Sequence, residues 1–208
     1  KMYESALLGA RGNSGLILSQ FFKGLSQAIN NKNFSVQNFI EAFEIAKRSS
    51  IEAIPNPTSG TMITVYSDCA KKGKELSNKN IIDTLEILAF QAIETVKKTP
   101  SMLPVLQEAN VVDSGAFGLA VMLLGGVDTI KNNGDGNINV NIPSFNPEKT
   151  DVNEKFFTDI SEEIWGYCTV FALTGENLDP ENLKINISNI GKSTIVTGNE
   201  NIIKVHTH

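Results

Sequence analysis

Cysteine is scarce in this sequence: Cys69 and Cys168 are the only two in 208 residues. They are too few and too far apart for a disulfide framework, which favours a reducing compartment. Positive charge is also short, with 18 Lys and Arg against 23 Asp and Glu and a formal charge of -5. That balance is wrong for a phosphate-backbone binder, so nucleic acid is not an expected partner. No long hydrophobic run is present, since the longest, Phe117 to Leu124, ends at Gly125-Gly126. It falls well short of the roughly 20 residues that cross a bilayer, so no membrane span is expected. The N-terminus, Lys1-Met2-Tyr3-Glu4, lacks the apolar region of a signal peptide, enters a helical pattern at once, and reads as a cut edge. With 41% hydrophobic and 20% charged residues, the expectation is a cytoplasmic chain of one or two compact units.

Helical periodicity is what the first two thirds contain. From Tyr3 to Lys131 apolar residues recur at helical spacing, and the breaks are short and rich in Gly, Pro, Ser and Asn. After the loop Gly9-Ala10-Arg11-Gly12-Asn13-Ser14-Gly15, the positions Ile17, Phe21, Gly24 and Ala28 share a face, flanked by Leu18, Phe22, Leu25 and Ile29. A face that wide belongs in a bundle. Ser35 can cap a second helix that must stop before Pro55-Asn56-Pro57, and a third runs from near Gly60 to about Leu76. Asn80 can cap a fourth, Ile81 to Lys97, with a short helix through Leu106 and a last one from Ala116 to Lys131. Residues 132–160 have no helical period and read as a linker. Beyond them the texture changes to an α/β unit, 161–208, with strands expected over Tyr167–Leu173, Thr194–Thr197 and Ile202–His206. Between them Asp179-Pro180 reads as a helix N-cap followed by proline at the first helical position. The unit stops at His208 in mid-strand and is expected to be incomplete.

Three helix-initiating loops carry the candidate chemistry. Gly12-Asn13-Ser14-Gly15 opens a long helix whose free N–H groups and positive dipole end suit a phosphate. Ser59-Gly60-Thr61 does the same after a proline-bounded loop, and Asp113-Ser114-Gly115-Ala116 adds a carboxylate for a ribose hydroxyl, a base amine or a cap. Each alone is also read as ordinary helix capping. In the second unit, His206 and His208 fall on one face of a strand, and with Cys168 in Trp165-Gly166-Tyr167-Cys168-Thr169 they form a donor set suited to zinc. The alternative is a buried thiol with two edge histidines. Cys69 at apolar spacing from Val65 reads as packing, Asp68 and Asp83 as solvated helix positions, and Arg11 as either a phosphate contact or a surface cap.

The run Gly9-Ala10-Arg11-Gly12-Asn13-Ser14-Gly15 followed by Leu16-Ile17-Leu18-Ser19-Gln20, then Gly60-Thr61, then Asn110-Val111-Val112-Asp113-Ser114-Gly115, resembles the kinase domain of fatty acid kinase A subunits. That domain is similar to the ADP-binding L subunit of dihydroxyacetone kinase. The resemblance covers roughly Tyr3 to Lys131. It implies a mainly α fold, a DhaL-like barrel of antiparallel amphipathic helices over 1–131, followed by the start of an α/β middle domain. ATP or ADP would lie across one mouth, with Gly12, Asn13 and Ser14 on the phosphates. Gly60, Thr61 and Met62 would line the pocket, and Asp113, Ser114 and Gly115 would close it. The implied reaction moves the ATP γ-phosphate onto the carboxylate of a fatty acid presented by a DegV-like fatty-acid-binding carrier protein. The family's two magnesium ions are held by an aspartate cluster in a loop that precedes the present first helix. No such cluster stands in this sequence, so the segment alone is expected to be inactive as a kinase.

Tyr167-Cys168-Thr169 and Lys204-Val205-His206-Thr207-His208 are similar to the middle domain of the same subunit. The resemblance implies zinc on Cys168, His206 and His208, and a contribution to homodimerisation. Val170 stands where the family usually has glutamate. The alternatives are a dihydroxyacetone kinase L-type subunit, disfavoured because that subunit ordinarily ends after the helical domain, and a non-catalytic nucleotide-binding or dimerisation scaffold.

Overall fold

The computed structural model describes residues 1–29, 34–76, 79–132 and 167–208. Apart from Asn132, the expected linker lies outside them, as do Trp165 and Gly166. Within the described part, α1 (Met2–Gly9), α2 (Gly12–Ile29), α3 (Val36–Ala53), α4 (Met62–Gly73), α5 (Ile81–Lys98), a 3-10 turn (Thr99–Ser101), α6 (Pro104–Ala109) and α7 (Ser114–Lys131) follow in order.

Local chemistry sets the ends of these helices. Ser35 and Asn38 form a capping box at α3, and the Asn38 amide also donates to the Ala28 carbonyl at 2.7 Å, tying α3 to the end of α2. The extended Ile54 before Pro55 stops α3. Asn80 caps α5 through the Asp83 N–H, and Asp113 caps α7 through the Ala116 N–H at 2.6 Å. The third helix ends at Gly73, short of Leu76, because the chain turns there through hydrogen bonds from Glu75 and Leu76 back to Lys72 and Gly73. The Gly9–Gly15 loop is also shorter than expected: only Ala10 and Arg11 lie outside a helix.

Successive helices pack on one another, α2 on α3, α3 on α4, α4 on α5, and α7 on α5 and α4. Aromatic rings fill the middle: Phe21 and Phe43 have centroids 5.1 Å apart, Phe39 meets Phe43 edge-on at 5.2 Å, and Tyr66 stacks parallel to Phe21. Tyr66 spends its hydroxyl on the Ile17 carbonyl at 3.1 Å, so its burial leaves no orphan donor. Cys69 is fully buried in this core, with burial pushing its thiol strongly up, as a packing residue requires. Asp68 departs from expectation. It is half-buried and accepts the Thr95 hydroxyl at 2.8 Å, because the facing helix brings that hydroxyl to it. Among the described residues, α7 is the one helix long and apolar enough to cross a membrane by length and composition. It contributes Ala116, Leu119, Ala120, Leu123 and Val127 to the aromatic core.

The second unit is a three-stranded antiparallel sheet, β1 (Thr169–Thr174), β2 (Ile195–Gly198) and β3 (Ile202–Thr207), in the order β1-β3-β2. Its helix, α8 (Pro180–Ser188), is capped by Asp179, which accepts the Glu181 and Asn182 N–H groups. One face of the sheet packs Val196, Ile203 and Val205 against Leu183 and Ile187 of α8. The other puts Ile195 and Ile202 in a cluster with Tyr3, Leu7, Ala10, Leu16 and Ala53, so the sheet is docked on α1, α2 and α3. Lys184 of α8 donates to the Glu52 carbonyl and Lys204 of β3 to the Leu8 carbonyl at 3.1 Å, two further ties across that seam.

Candidate functional site

Side chains from the first turns of α2 and α4 reach the first turn of α7 at Gly115. A side-chain carbon at Gly115, in the first turn of α7, would lie 3.1 Å from Ser14 Oγ of α2, 3.3 Å from Met62 Cε of α4 and 3.4 Å from Asp113 Oδ1. A side chain at residue 115 would press on Ser14, Met62 and Asp113, and these side chains would have to give way. Each helix begins with N–H groups that have no intrahelical partner, so the point is rich in backbone donors.

The remaining loop residues build the surround. Gly12 has φ +61°, with open space where a side chain would stand, and Gly60 has φ +84°, packed against Met102, Leu103 and the Thr99 carbonyl. Both are backbone states that L side chains rarely adopt. The Thr61 hydroxyl turns away from its helix and donates to Thr58 O at 2.9 Å, while the Thr64 hydroxyl takes the Gly60 N–H at 2.9 Å. Thr99 links this loop to the third one, since its Oγ1 accepts the Asp113 N–H at 3.0 Å. Thr99-Pro100 reads in the sequence only as the stop of the helix before it, because the link to Asp113 joins positions 14 residues apart through a tertiary turn. One Asp113 oxygen is committed to the Ala116 N–H; burial raises the pKa of this carboxyl, and that hydrogen bond partly offsets the rise. Of the nine loop candidates, Asn13 also lines a cavity of about 530 Å3 at the seam, together with Ile17, Asn56, Ser188, Lys192 and Ile195. Asn13 Oδ1 and Ser188 Oγ, on two of these lining residues, are buried without a hydrogen-bond partner among the described residues.

The second cluster lies on the sheet. Antiparallel pairing sets Val170 opposite His206 and Thr169 opposite Thr207, which brings Cys168, just before β1, beside the end of β3. Cys168 Sγ lies 3.9 Å from His206 Nδ1, and the Nε2 atoms of His206 and His208 are 3.0 Å apart. One ligand atom from each of the three falls within 4.8 Å of the others, the one such group of His, Cys, Asp and Glu donors among the described residues. Separations of this size suit ligands about 2.0–2.3 Å from a common ion, and a thiolate with two imidazoles is a zinc donor set. The buried-thiol, edge-histidine alternative does not describe this geometry. Cys168 is exposed, and His206, 3% exposed, is on the central strand. Burial lowers the His206 pKa, helped by the nearby His208. Val170 is partly exposed beside the cluster and offers no ligand atom.

Arg11 acts as a cap. Its Nη1 donates to the carbonyls of Leu8 and Ala10 at 3.2 and 3.0 Å, closing the end of α1 immediately before α2. Lys204, 6% exposed, reaches the same end of α1; its alternation with His206 along β3 is the sequence signal that could have found it.

A helical domain that gathers helix N-termini at small residues, joined to a sheet bearing a thiol-imidazole cluster, defines the class. Residues 1–128 match the DAK2 domain, and residues 164–208 match the middle domain of fatty acid kinase A-subunit-like proteins. The chain belongs to the DAK2 domain family, and the paired matches are those of a fatty acid kinase A-subunit-like segment, both from kinase-related families. An uncharacterized protein of Staphylococcus saprophyticus is 35% identical over 217 residues, covering 99% of this chain and 38% of the relative. Uncharacterized proteins of Staphylococcus epidermidis and Staphylococcus aureus are 34% and 31% identical over 215 residues, each covering 99% of this chain. The chain spans 38% and 39% of those two relatives, so it accounts for well under half of the proteins it resembles.

Proposed function

We propose that this chain is the nucleotide-binding and metal-binding part of an ATP-dependent kinase subunit, whose parent protein phosphorylates the carboxylate of a carrier-bound fatty acid to an acyl phosphate. The observation that carries the reading is the meeting of α2, α4 and α7 first turns around Gly115. A polyphosphate is the ligand such a point suits, because converging N–H groups and helix dipoles favour concentrated negative charge. In this reading Gly12, Asn13 and Ser14 hold the phosphates, while Gly60, Thr61 and Met62 form the wall. Asp113, with one oxygen spent on its cap, offers the other to a ribose hydroxyl or base amine, and Ser114 and Gly115 close the pocket. The catalytic magnesium belongs to residues outside this segment, and the part assigned to these residues is to bind and orient the nucleotide. Cys168, His206 and His208 would hold zinc, which when bound supplies a fixed positive charge and a rigid clamp across β1 and β3. The carrier partner and a homodimer belong to the same reading of the parent protein.

Calorimetric titration of the 208-residue chain with ADP tests the nucleotide site. Binding is expected, and Gly115→Val should weaken it; a chain that is folded yet indifferent to ADP would sink the reading. For the metal, elemental analysis should find about one zinc per chain, lost in Cys168→Ala, and a well-folded metal-free protein rules zinc out. Phosphotransfer by the full-length parent, assayed with and without a fatty-acid carrier, separates the kinase from the non-catalytic scaffold.

A further inference from the structure

Two cations from different units converge on one carbonyl. Arg11 Nη1 and Lys204 Nζ both donate to the Leu8 oxygen, at 3.2 and 3.1 Å, which keeps the two nitrogens within two hydrogen-bond lengths of each other. Like charges so placed repel. Among the described residues no carboxylate forms an ion pair with either. The first turn of α2, which begins at the residue after Arg11, holds no acidic side chain and presents the positive end of an 18-residue helix. The carbonyl end of α1 supplies the partial negative charge that faces the two cations, and no carboxylate adds to it. Capping α1 explains one cation, because Arg11 alone reaches the carbonyls of Leu8, Gly9 and Ala10. The second, Lys204, ties β3 to that same carbonyl across the seam, which sets it beside the first. Lys204 comes from β3, its side chain covered by the seam, two residues from His206 and on the same face of the sheet.

We propose that Arg11 and Lys204 form an oxyanion-binding pair at the seam, taking a phosphate or carboxylate group between the α2 N-terminus and the Cys168, His206 and His208 cluster. The assignment deepens the kinase reading by locating the group that is handed over, and it rests on that reading for its role but not for its chemistry. An oxyanion would neutralise both cations at once, with guanidinium and ammonium donating charge-assisted hydrogen bonds to different oxygens.

Calorimetric titration of the 208-residue chain with inorganic phosphate and with acetate, at constant ionic strength, reads this pair directly. Phosphate is expected to bind, and Arg11→Gln and Lys204→Met should each weaken it about tenfold or more, the scale of one lost hydrogen bond to a charged group. Lys204→Arg should stay within about threefold, and Lys97→Gln, which removes a charge on distant α5, should change nothing. Arg11 is exposed, so its variant keeps the test valid if Lys204→Met fails to fold, as circular dichroism would show. Phosphate affinity unmoved by Arg11→Gln, or lowered equally by Lys97→Gln, overturns the proposal. Repeating the titration with saturating ADP identifies the source: phosphate that still binds marks the handed-over group, phosphate displaced by ADP marks the nucleotide's own phosphates, and preference for acetate marks a carboxylate. A chain that binds phosphate through the pair but ignores ADP keeps this proposal and loses the kinase reading; normal ADP binding with phosphate unaffected by the variants does the reverse.

Discussion

In the helical unit the candidate site is built on helix starts and their backbone N–H donors, with glycine at three of its positions, Gly12, Gly60 and Gly115. In the sheet unit the groups are side chains, a thiol and two imidazoles held at the start of β1 and the end of β3. The packing differs in the same sense. The helices bury an aromatic core of their own around Phe43 and Tyr66, whereas the sheet completes one of its faces only by borrowing Tyr3, Leu7 and Leu16 from the helical unit. β1 is exposed along nearly its whole length. A backbone site needs rigid helices to aim its donors, while a side-chain site needs only strand register, so the better-packed unit carries the former.

The most damaging way to test this contrast is Phe43→Ala, which empties the aromatic core. A loss of about 3–5 kcal/mol is expected in chemical denaturation, with the helical signal in circular dichroism failing first. Leu7→Ala removes a fully buried contact that both units share, and should cost about 2–5 kcal/mol. If the sheet depends on the helices, a single cooperative transition shifts; two separate transitions would show that each unit stands alone. Gly115→Val sharpens the comparison at the site itself. ADP affinity should fall about tenfold, worth roughly 1.4 kcal/mol, while zinc content stays unchanged. Asp113→Ala removes the α7 cap, for about 1 kcal/mol of stability. Asp113→Asn keeps the cap and should move the denaturation midpoint least.

Asp113 also predicts a pH dependence. Burial raises its pKa, so the folded chain keeps this proton to higher pH than the unfolded chain does. The group's contribution to stability therefore falls as pH rises from the ordinary carboxylate value through the raised one, and Asp113→Asn should flatten that slope in denaturation midpoints measured across acidic pH.

Much of the helical unit was legible beforehand, for physical reasons that act locally. Asn80, Ser35 and Asp113 cap helices because a short polar side chain reaches its own neighbouring N–H groups, and Pro55 stops α3 by steric exclusion in its predecessor. The Asp179-Pro180 start of α8 was readable for the same reason. Helix ends without such a signal were misjudged, as at Gly73, where a turn with no distinctive side chain ends the helix. Asp68 was misread because its partner, Thr95, comes from another helix.

Sequence alone determined most of the residues that open helices and that His206 and His208 alternate at the end of the last strand, since each follows from chemistry within a few residues. Tertiary structure alone decided that Ser14, Met62 and Asp113 meet around Gly115, that Cys168 joins the two histidines, and that Lys204 reaches the carbonyl Arg11 already holds. Those meetings depend on how helices and strands pack across long separations, where the deciding terms are core volume and strand register, and neither is written in a local motif.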